Sequence, residues 1–414
     1  MKNFTLLLAL CSTLHCFAQF EVNIIDLNTN DLVYDAVTDK IYASIPSSNG
    51  TNGNSIGIIN LDTYELESTV FIGSEPSVLA ISDNGQYIYS GFEGSATVRR
   101  FDVTNLTADI QFPLGSDSST GSFFAEDIEV MPNNPTTIAI SRKNIGFTPR
   151  HEGVAIYDNN IMRTNTTQDH TGSNKIEFTG VNSLLGYNNE TTEFGIRTLS
   201  VNASGISENT VTNNILSGFG VDFIYNNNRV YATNGQILDV TTTPFSAGQF
   251  TGASGPVAYD EFLDKVCYAT FNGSSAIRFQ RYNPNNFLIE DDLVVNEATG
   301  ESKSMITCGN GCYAFNSENN KVVIIRDTNL SVTDFTVDNT FKLYPNPTSN
   351  VVTIDVNNDI ETIQLIDING KLIKHMSGNH NNNTIDLTHL RSGLYLVKVV
   401  FHGGHTATKR ITKS

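Results

Sequence analysis

From Leu32 onward, apolar and polar residues alternate in short runs separated by Asn, Asp, Gly and Thr. Alternation with a period of two, bounded by turn-forming residues, predicts β-strands joined by hairpins. The clearest unit runs from Pro76 to Gly115. It offers strands over Ser77–Ser82, Gln86–Gly91, Thr97–Val103 and Ala108–Phe112, with turns at Asp83-Asn84-Gly85 and Thr104-Asn105. The preceding unit has the same grammar: Leu32–Asp35, Lys40–Ile45, Ser55–Leu61 and Glu67–Ile72. Further copies begin near Glu126, Lys175, Gly220, Pro256 and Lys303. No segment sustains a 3.6-residue apolar period, so helices should be scarce.

Four consecutive antiparallel strands in roughly 40–50 residues make one blade of a radial array. Seven starts predict an all-β chain built on a seven-bladed β-propeller over residues 19–330. The fourth and fifth copies are degenerate, which leaves six or eight blades open. The last copy has candidate strands at Met305–Cys308, Cys312–Phe315 and Val322–Asp327 and lacks a clear fourth. Glu21–Leu27 is a strand-like run with no blade of its own. As the outermost strand of the last blade it would tie the two ends of the ring together and cover open edges.

After a polar linker, residues 331–340, the pattern changes. Phe341–Ser414 contains about seven short strand candidates, including Ile363–Ile368 and Lys371–His375 around Asn369-Gly370, a type I′ hairpin dipeptide. Such a segment predicts a small C-terminal β-sandwich. Charge marks the same boundary. Residues 341–414 carry eight Lys/Arg and five Asp/Glu, whereas the body between Lys2 and Phe341 carries 16 basic and 38 acidic residues. An acidic body repels phosphate backbones and anionic headgroups, which argues against nucleic-acid or membrane-surface partners.

Residues 1–18 have the layout of a secretory signal peptide: Lys2, an apolar Phe4–Leu10, then Cys16-Phe17-Ala18 with cleavage expected between Ala18 and Gln19. No later stretch is apolar enough to predict a transmembrane segment. Of the cysteines beyond this leader, Cys308 and Cys312 flank Gly-Asn-Gly and could face each other across a hairpin as a disulfide in an oxidising compartment.

Two resemblances follow from residue strings. Ser82-Asp83-Asn84-Gly85-Gln86-Tyr87-Ile88-Tyr89, with Phe101-Asp102 later in the unit and Ile59-Asn60 in the unit before, resembles the YVTN/lactonase-like propeller repeat. The match covers two copies well and bears on fold rather than chemistry. In the tail, Leu343-Tyr344-Pro345-Asn346-Pro347, Asp367-Ile368-Asn369-Gly370-Lys371, Ser392-Gly393-Leu394-Tyr395-Leu396-Val397-Lys398-Val399 and Thr408-Lys409-Arg410-Ile411-Thr412-Lys413 occur in order. Together they resemble the type A C-terminal sorting domain of type IX secretion cargo. That resemblance implies the type IX translocon and sorting machinery as partners, and passage through the periplasm. It also implies final release or attachment at the outer cell surface.

Candidate chemistry is sparse. The body has two histidines, His151 and His170, both in loop-like sequence, so a histidine-based acid–base cluster is hard to build. The chain has no Trp, which disfavours tryptophan-docked quinone dehydrogenases and WD-repeat propellers. No phosphate loop, nucleophile elbow, EF-loop or zinc helix is present. The long loop Arg142–Gly153 gathers Arg142, Lys143, Arg150 and His151 in an otherwise acidic body, a candidate anion or carboxylate site. Glu126-Asp127 precedes the inner strand of the third copy and could hold Ca²⁺ at the channel mouth. No other cofactor is expected. These features favour a binding or interaction module for an extracellular glycan, peptide or protein. A secreted lactonase-like hydrolase or polysaccharide lyase is the alternative, and a structural surface component a third.

Overall fold

The computed structural model describes residues 20–273, 276–328, 341–356, 360–367, 371–378, 383–401 and 406–414. The leader with Ala18 and Gln19, the linker 331–340 and the Asn369-Gly370 turn lie outside these residues. The chain divides into two compact units, Met1–Leu330 and Ser331–Ser414.

In the first unit the described residues form seven four-stranded antiparallel sheets. Blades 1 to 6 each use four consecutive strands. Their innermost strands are Leu32–Asp35, Pro76–Ile81, Phe124–Val130, Lys175–Gly180, Phe223–Asn226 and Val257–Asp260. Blade 7 takes Met305–Thr307, Cys312–Ser317 and Lys321–Asp327 from the end of the repeat and its outermost strand, Phe20–Asp26, from the beginning. Phe20 pairs with Asp327 and Asp26 with Lys321, so the ring closes by backbone hydrogen bonds. Each innermost strand touches those of the two neighbouring blades all the way round. This is the predicted seven-bladed propeller.

The period-two pattern explains why middle strands are buried on both faces. In Lys40–Ile45, Ile41, Ala43 and Ile45 enter a cluster shared with Cys312, Ala314 and Ile324 of blade 7. Tyr42, between them, enters a cluster shared with Leu79, Ile88 and Phe92 of blade 2. Successive side chains point to opposite faces of a strand, so one strand cements two joints. Seven such clusters occupy the seven joints. Each buried Ile, Leu or Phe adds roughly 1.5–3 kcal/mol relative to exposure.

Polar groups stitch the inner ring. Asp31 accepts the N–H groups of Leu32 and, in blade 2, Leu79, both at 2.8 Å. Asp127 repeats the device, accepting from Ile128 at 3.1 Å and from Ile176 of blade 4 at 2.8 Å. Helical structure among the described residues is confined to a 3-10 turn, Ser47–Asn52, inside the long loop of blade 1. A two-stranded hairpin, Ser116–Asp117 with Gly121–Ser122, joins blades 2 and 3 and was not foreseen from the alternation, because its strands are only two residues long. Cys308 and Cys312 are disulfide-linked across a tight turn, in which Gly309 and Gly311 have φ of +98° and +63°, a region where side chains are strained.

The second unit packs a three-stranded sheet (Phe341–Tyr344, Val351–Val356, Asn383–Asp386) against a four-stranded one (Leu372–Ser377, Ile360–Asp367, Gly393–Phe401, Thr406–Lys413). Val352, Ile354, Ile363, Leu365, Val397 and Val399 form its core.

Candidate functional site

At the level where the inner strands begin, or just past the bulge in blade 3, charged and polar residues replace apolar ones. Asp31, Asp127, Lys175, Asp222 and Ser304 occupy this level in blades 1, 3, 4, 5 and 7. Two positions further along, Glu129 and Glu177 occupy equivalent places in the adjacent blades 3 and 4. All of these except Asp31 line a cavity of about 430 Å³ in the channel, walled also by Thr233, Gly255, Ser302 and Lys303.

Its electrostatics are uneven. Lys175 Nζ lies 3.0 Å from Asp222, which holds the ammonium charged. Asp127 uses both oxygens on backbone N–H groups; burial nevertheless pushes its carboxyl up to about 7. Glu129 and Glu177 have no hydrogen-bond or ion-pair partner among the described residues. Burial first, and then the charge of Glu177 on Glu129 and of Asp127 on both, holds them well above the usual carboxylate range. Two carboxyls in adjacent inner strands with nothing to pair with among the described residues ionise only at a cost to the fold. The Asp residues have a structural task, and these glutamates have none in the described fold.

Glu126 and Asp127 lie within the inner strand of blade 3 rather than before it. A β-bulge between Ala125 and Asp127 leaves Glu126 as the extra residue. Glu126 pairs with Lys143 at 3.0 Å while Asp127 serves the channel. Among the described residues no three His, Cys, Asp or Glu side chains are grouped as metal ligands.

Of the expected loop Arg142–Gly153, Arg142 and Lys143 end the second strand of blade 3 and His151 opens the third, so only residues 144–150 connect them, and the four basic residues have separate environments. Arg142 is buried, stacks on Phe123 at 5.2 Å and donates to the Gly153 carbonyl. Lys143 sits between Glu93, at 2.7 Å, and Glu126. Arg150 grips Glu190 with its side chain and its backbone N–H. His151 is 1% exposed and, among the described residues, has no partner for either ring nitrogen; burial drives its pKa down to about 3, so it is neutral.

Glu129, Lys175, Glu177 and Asp222 were not among the residues singled out from sequence. The signal was present: a charged residue in the middle of an innermost strand breaks the apolar pattern that every other copy keeps at that level. Only superposing the copies on the inner-strand start exposes it.

In the sandwich the sorting strings converge. Asn346 accepts the Thr412 N–H at 3.0 Å and donates to the Arg410 carbonyl at 2.9 Å. The Thr348 N–H donates to the Thr412 carbonyl and the Ser414 N–H returns to Thr348, each at 2.9 Å. The Tyr344-Pro345-Asn346-Pro347 segment is thereby fastened to the strand bearing Lys409 and Lys413. Lys409 lies over the Phe341 ring at 5.4 Å. Tyr395 in the neighbouring strand, which starts at Gly393 and carries Lys398, donates its hydroxyl to the Arg391 carbonyl at 2.9 Å. Asp367 brackets Lys371, accepting its N–H at 2.9 Å. Tyr344 is half exposed and Lys371 exposed.

Comparison with known proteins agrees with both units. Residues 342–414 match the family of secretion system C-terminal sorting domains. No curated protein sequence matches the chain. Among solved structures, the Cps50 (Swd1) β-propeller domain of Myceliophteria thermophila superposes with a TM-score of 0.56 at 13% identity, covering 74% of this chain and 99% of that one. Hydrazine synthase of Kuenenia stuttgartiensis gives 0.55 at 12% identity, covering 73% and 96%. At such identities the likeness concerns fold alone. No helix among the described residues is long and apolar enough to cross a membrane. The chain is a β-propeller protein whose C-terminal sorting domain engages the type IX secretion machinery and directs it to the cell surface or beyond.

Proposed function

We propose that the propeller is an extracellular binding module whose channel receives a cationic group of its ligand. The observation that carries this reading is the pair Glu129 and Glu177, unpartnered and mutually repelling in a cavity of about 430 Å³. A positive group placed between them would offset their repulsion and recover both ionised forms. Asp222 and, when ionised, Asp127 add to the negative potential, against Lys175 and Lys303 in the same lining. The reading moves the ligand from the basic loop, whose cations are bound to internal partners, to the axis.

The test is calorimetric titration of the full chain with acetyl-lysine-amide and with its uncharged isostere acetyl-norleucine-amide. Selective binding of the cation, lost in the double variant Glu129→Gln/Glu177→Gln, supports the proposal. Equal binding of both compounds, or an unaffected double variant, overturns it. Calcium, the ion expected from the Glu126-Asp127 pair, belongs in the same titration as a competitor.

Asp127 favours one second reading, acid–base chemistry on a bound glycan or lactone. Its carboxyl is pushed up to about 7, close to the value that suits a general base. Turnover of glycan or lactone substrates that disappears in Asp127→Asn, while the folding transition persists, would favour it.

A further inference from the structure

A second cavity, of about 340 Å³, adjoins the channel cavity and shares Gly220, Thr233, Gly255 and Ser302 with it. Its walls come from the connections leading into blades 5, 6 and 7 and from the turns after the second strands of blades 5 and 6. In an antiparallel blade these segments all emerge at the end where the inner strand begins. Both cavities therefore open on one face.

The chemistry of the second cavity differs from that of the first. Phe219 lines it and is 65% exposed, with Phe271 also in its wall. Phe194 holds the Phe219 ring edge-to-face, with centroids 5.0 Å apart at 68°. Phe194 belongs to the turn after the second strand of blade 4, so two loops from different parts of the chain cooperate to present one bare ring. A large aromatic side chain that stays in water and is braced by another has a surface suited to stacking. Asn234, Ser254 and Glu301 supply donors and acceptors around it.

We infer that the two cavities form one groove for an extended peptide, with a cationic side chain in the channel and an aromatic side chain two residues away against Phe219. The inference rests on the channel reading above. In an extended chain, residues i and i+2 project on the same side, about 7 Å apart, which suits two cavities sharing a wall. The occupant is a peptide because the acidic channel selects an ammonium or guanidinium, the exposed ring selects a second planar or apolar group, and one extended backbone carries both.

The experiment titrates the full chain with acetyl-Lys-Gly-Phe-amide and acetyl-Lys-Gly-Gly-amide. The aromatic peptide should bind the unaltered protein about two- to tenfold more tightly, the scale of one aromatic contact. Phe219→Ala should remove that advantage and leave the affinity for acetyl-Lys-Gly-Gly-amide unchanged. Glu129→Gln/Glu177→Gln should weaken both peptides. Equal affinities of the two peptides, or an advantage that survives Phe219→Ala, overturn the groove while leaving the channel reading standing. Failure of both peptides to bind overturns both.

Discussion

Arg281 of blade 6 and Asp327 at the end of blade 7 form an ion pair of 2.7 Å with side chains only 6% and 5% exposed. The same guanidinium reaches Asp291 and the Tyr313 hydroxyl and lies 4.8 Å from the ring of Phe20, the first residue of the closing strand. Three stretches distant in sequence thus meet on one side chain. Phe20 further packs edge-on against Phe279, at 5.5 Å and 86°.

Removing one partner should strand a buried charge. Arg281→Met is expected to cost about 3–5 kcal/mol and to loosen the Phe20–Asp26 strand. Urea unfolding measures the first effect. Hydrogen exchange at Val22 to Ile25 measures the second, and unchanged protection there would show that closure does not depend on this cation.

The channel glutamates should make stability fall with rising pH. Their folded pKa values are raised above the unfolded ones, so their contribution is complete below about pH 4.3 and is lost as pH rises through the folded values. Asp127 adds to the same trend up to about pH 7. Glu129→Gln/Glu177→Gln should therefore raise the thermal midpoint, and more at pH 8 than at pH 5. A pH-independent difference would mean that the two carboxyls ionise freely in the channel.

His151 should act in the opposite direction. Its folded pKa, about 3, is depressed below the unfolded value near 6.5, so the neutral ring is accommodated above that value. Stability should drop as pH falls from about 6.5 towards 3, where the unfolded chain takes up a proton and the folded one does not. His151→Phe should flatten that slope in a pH series of melting curves. An unchanged slope would assign the acid sensitivity elsewhere.

The sorting domain offers a test through Asn346. Asn346→Ala removes two hydrogen bonds to the last strand and should cost about 1–3 kcal/mol of sandwich stability. It should also lower the exported fraction in cells carrying the type IX system. Deleting residues 341–414 should abolish export and leave the protein in the periplasm. Undiminished export of the deletion would refute the role of the sorting domain.

Much of this molecule was written in local pattern. Alternation, turn residues and copy number sufficed for blades, because a strand whose two faces meet two neighbours needs apolar side chains on both. The run at Glu21–Leu27 announced ring closure for a similar reason: an apolar strand without a local partner must find a distant one. The motifs of the tail were legible as strings, but that Asn346 hydrogen-bonds around Thr412 depends on two chain segments 66 residues apart.

The channel was decided by tertiary structure. Glu129 and Glu177 break the apolar pattern of their strands, but that both line one cavity without partners among the described residues emerges only when the inner strands are set round an axis. Conversely, Arg142, Lys143, Arg150 and His151 look like a cluster in sequence, yet a strand pair sends alternate residues to opposite faces and a bulge turns Glu126 towards Lys143. Adjacency along the chain specifies which strands form. Which charges share a space depends on how seven sheets are arranged around one axis.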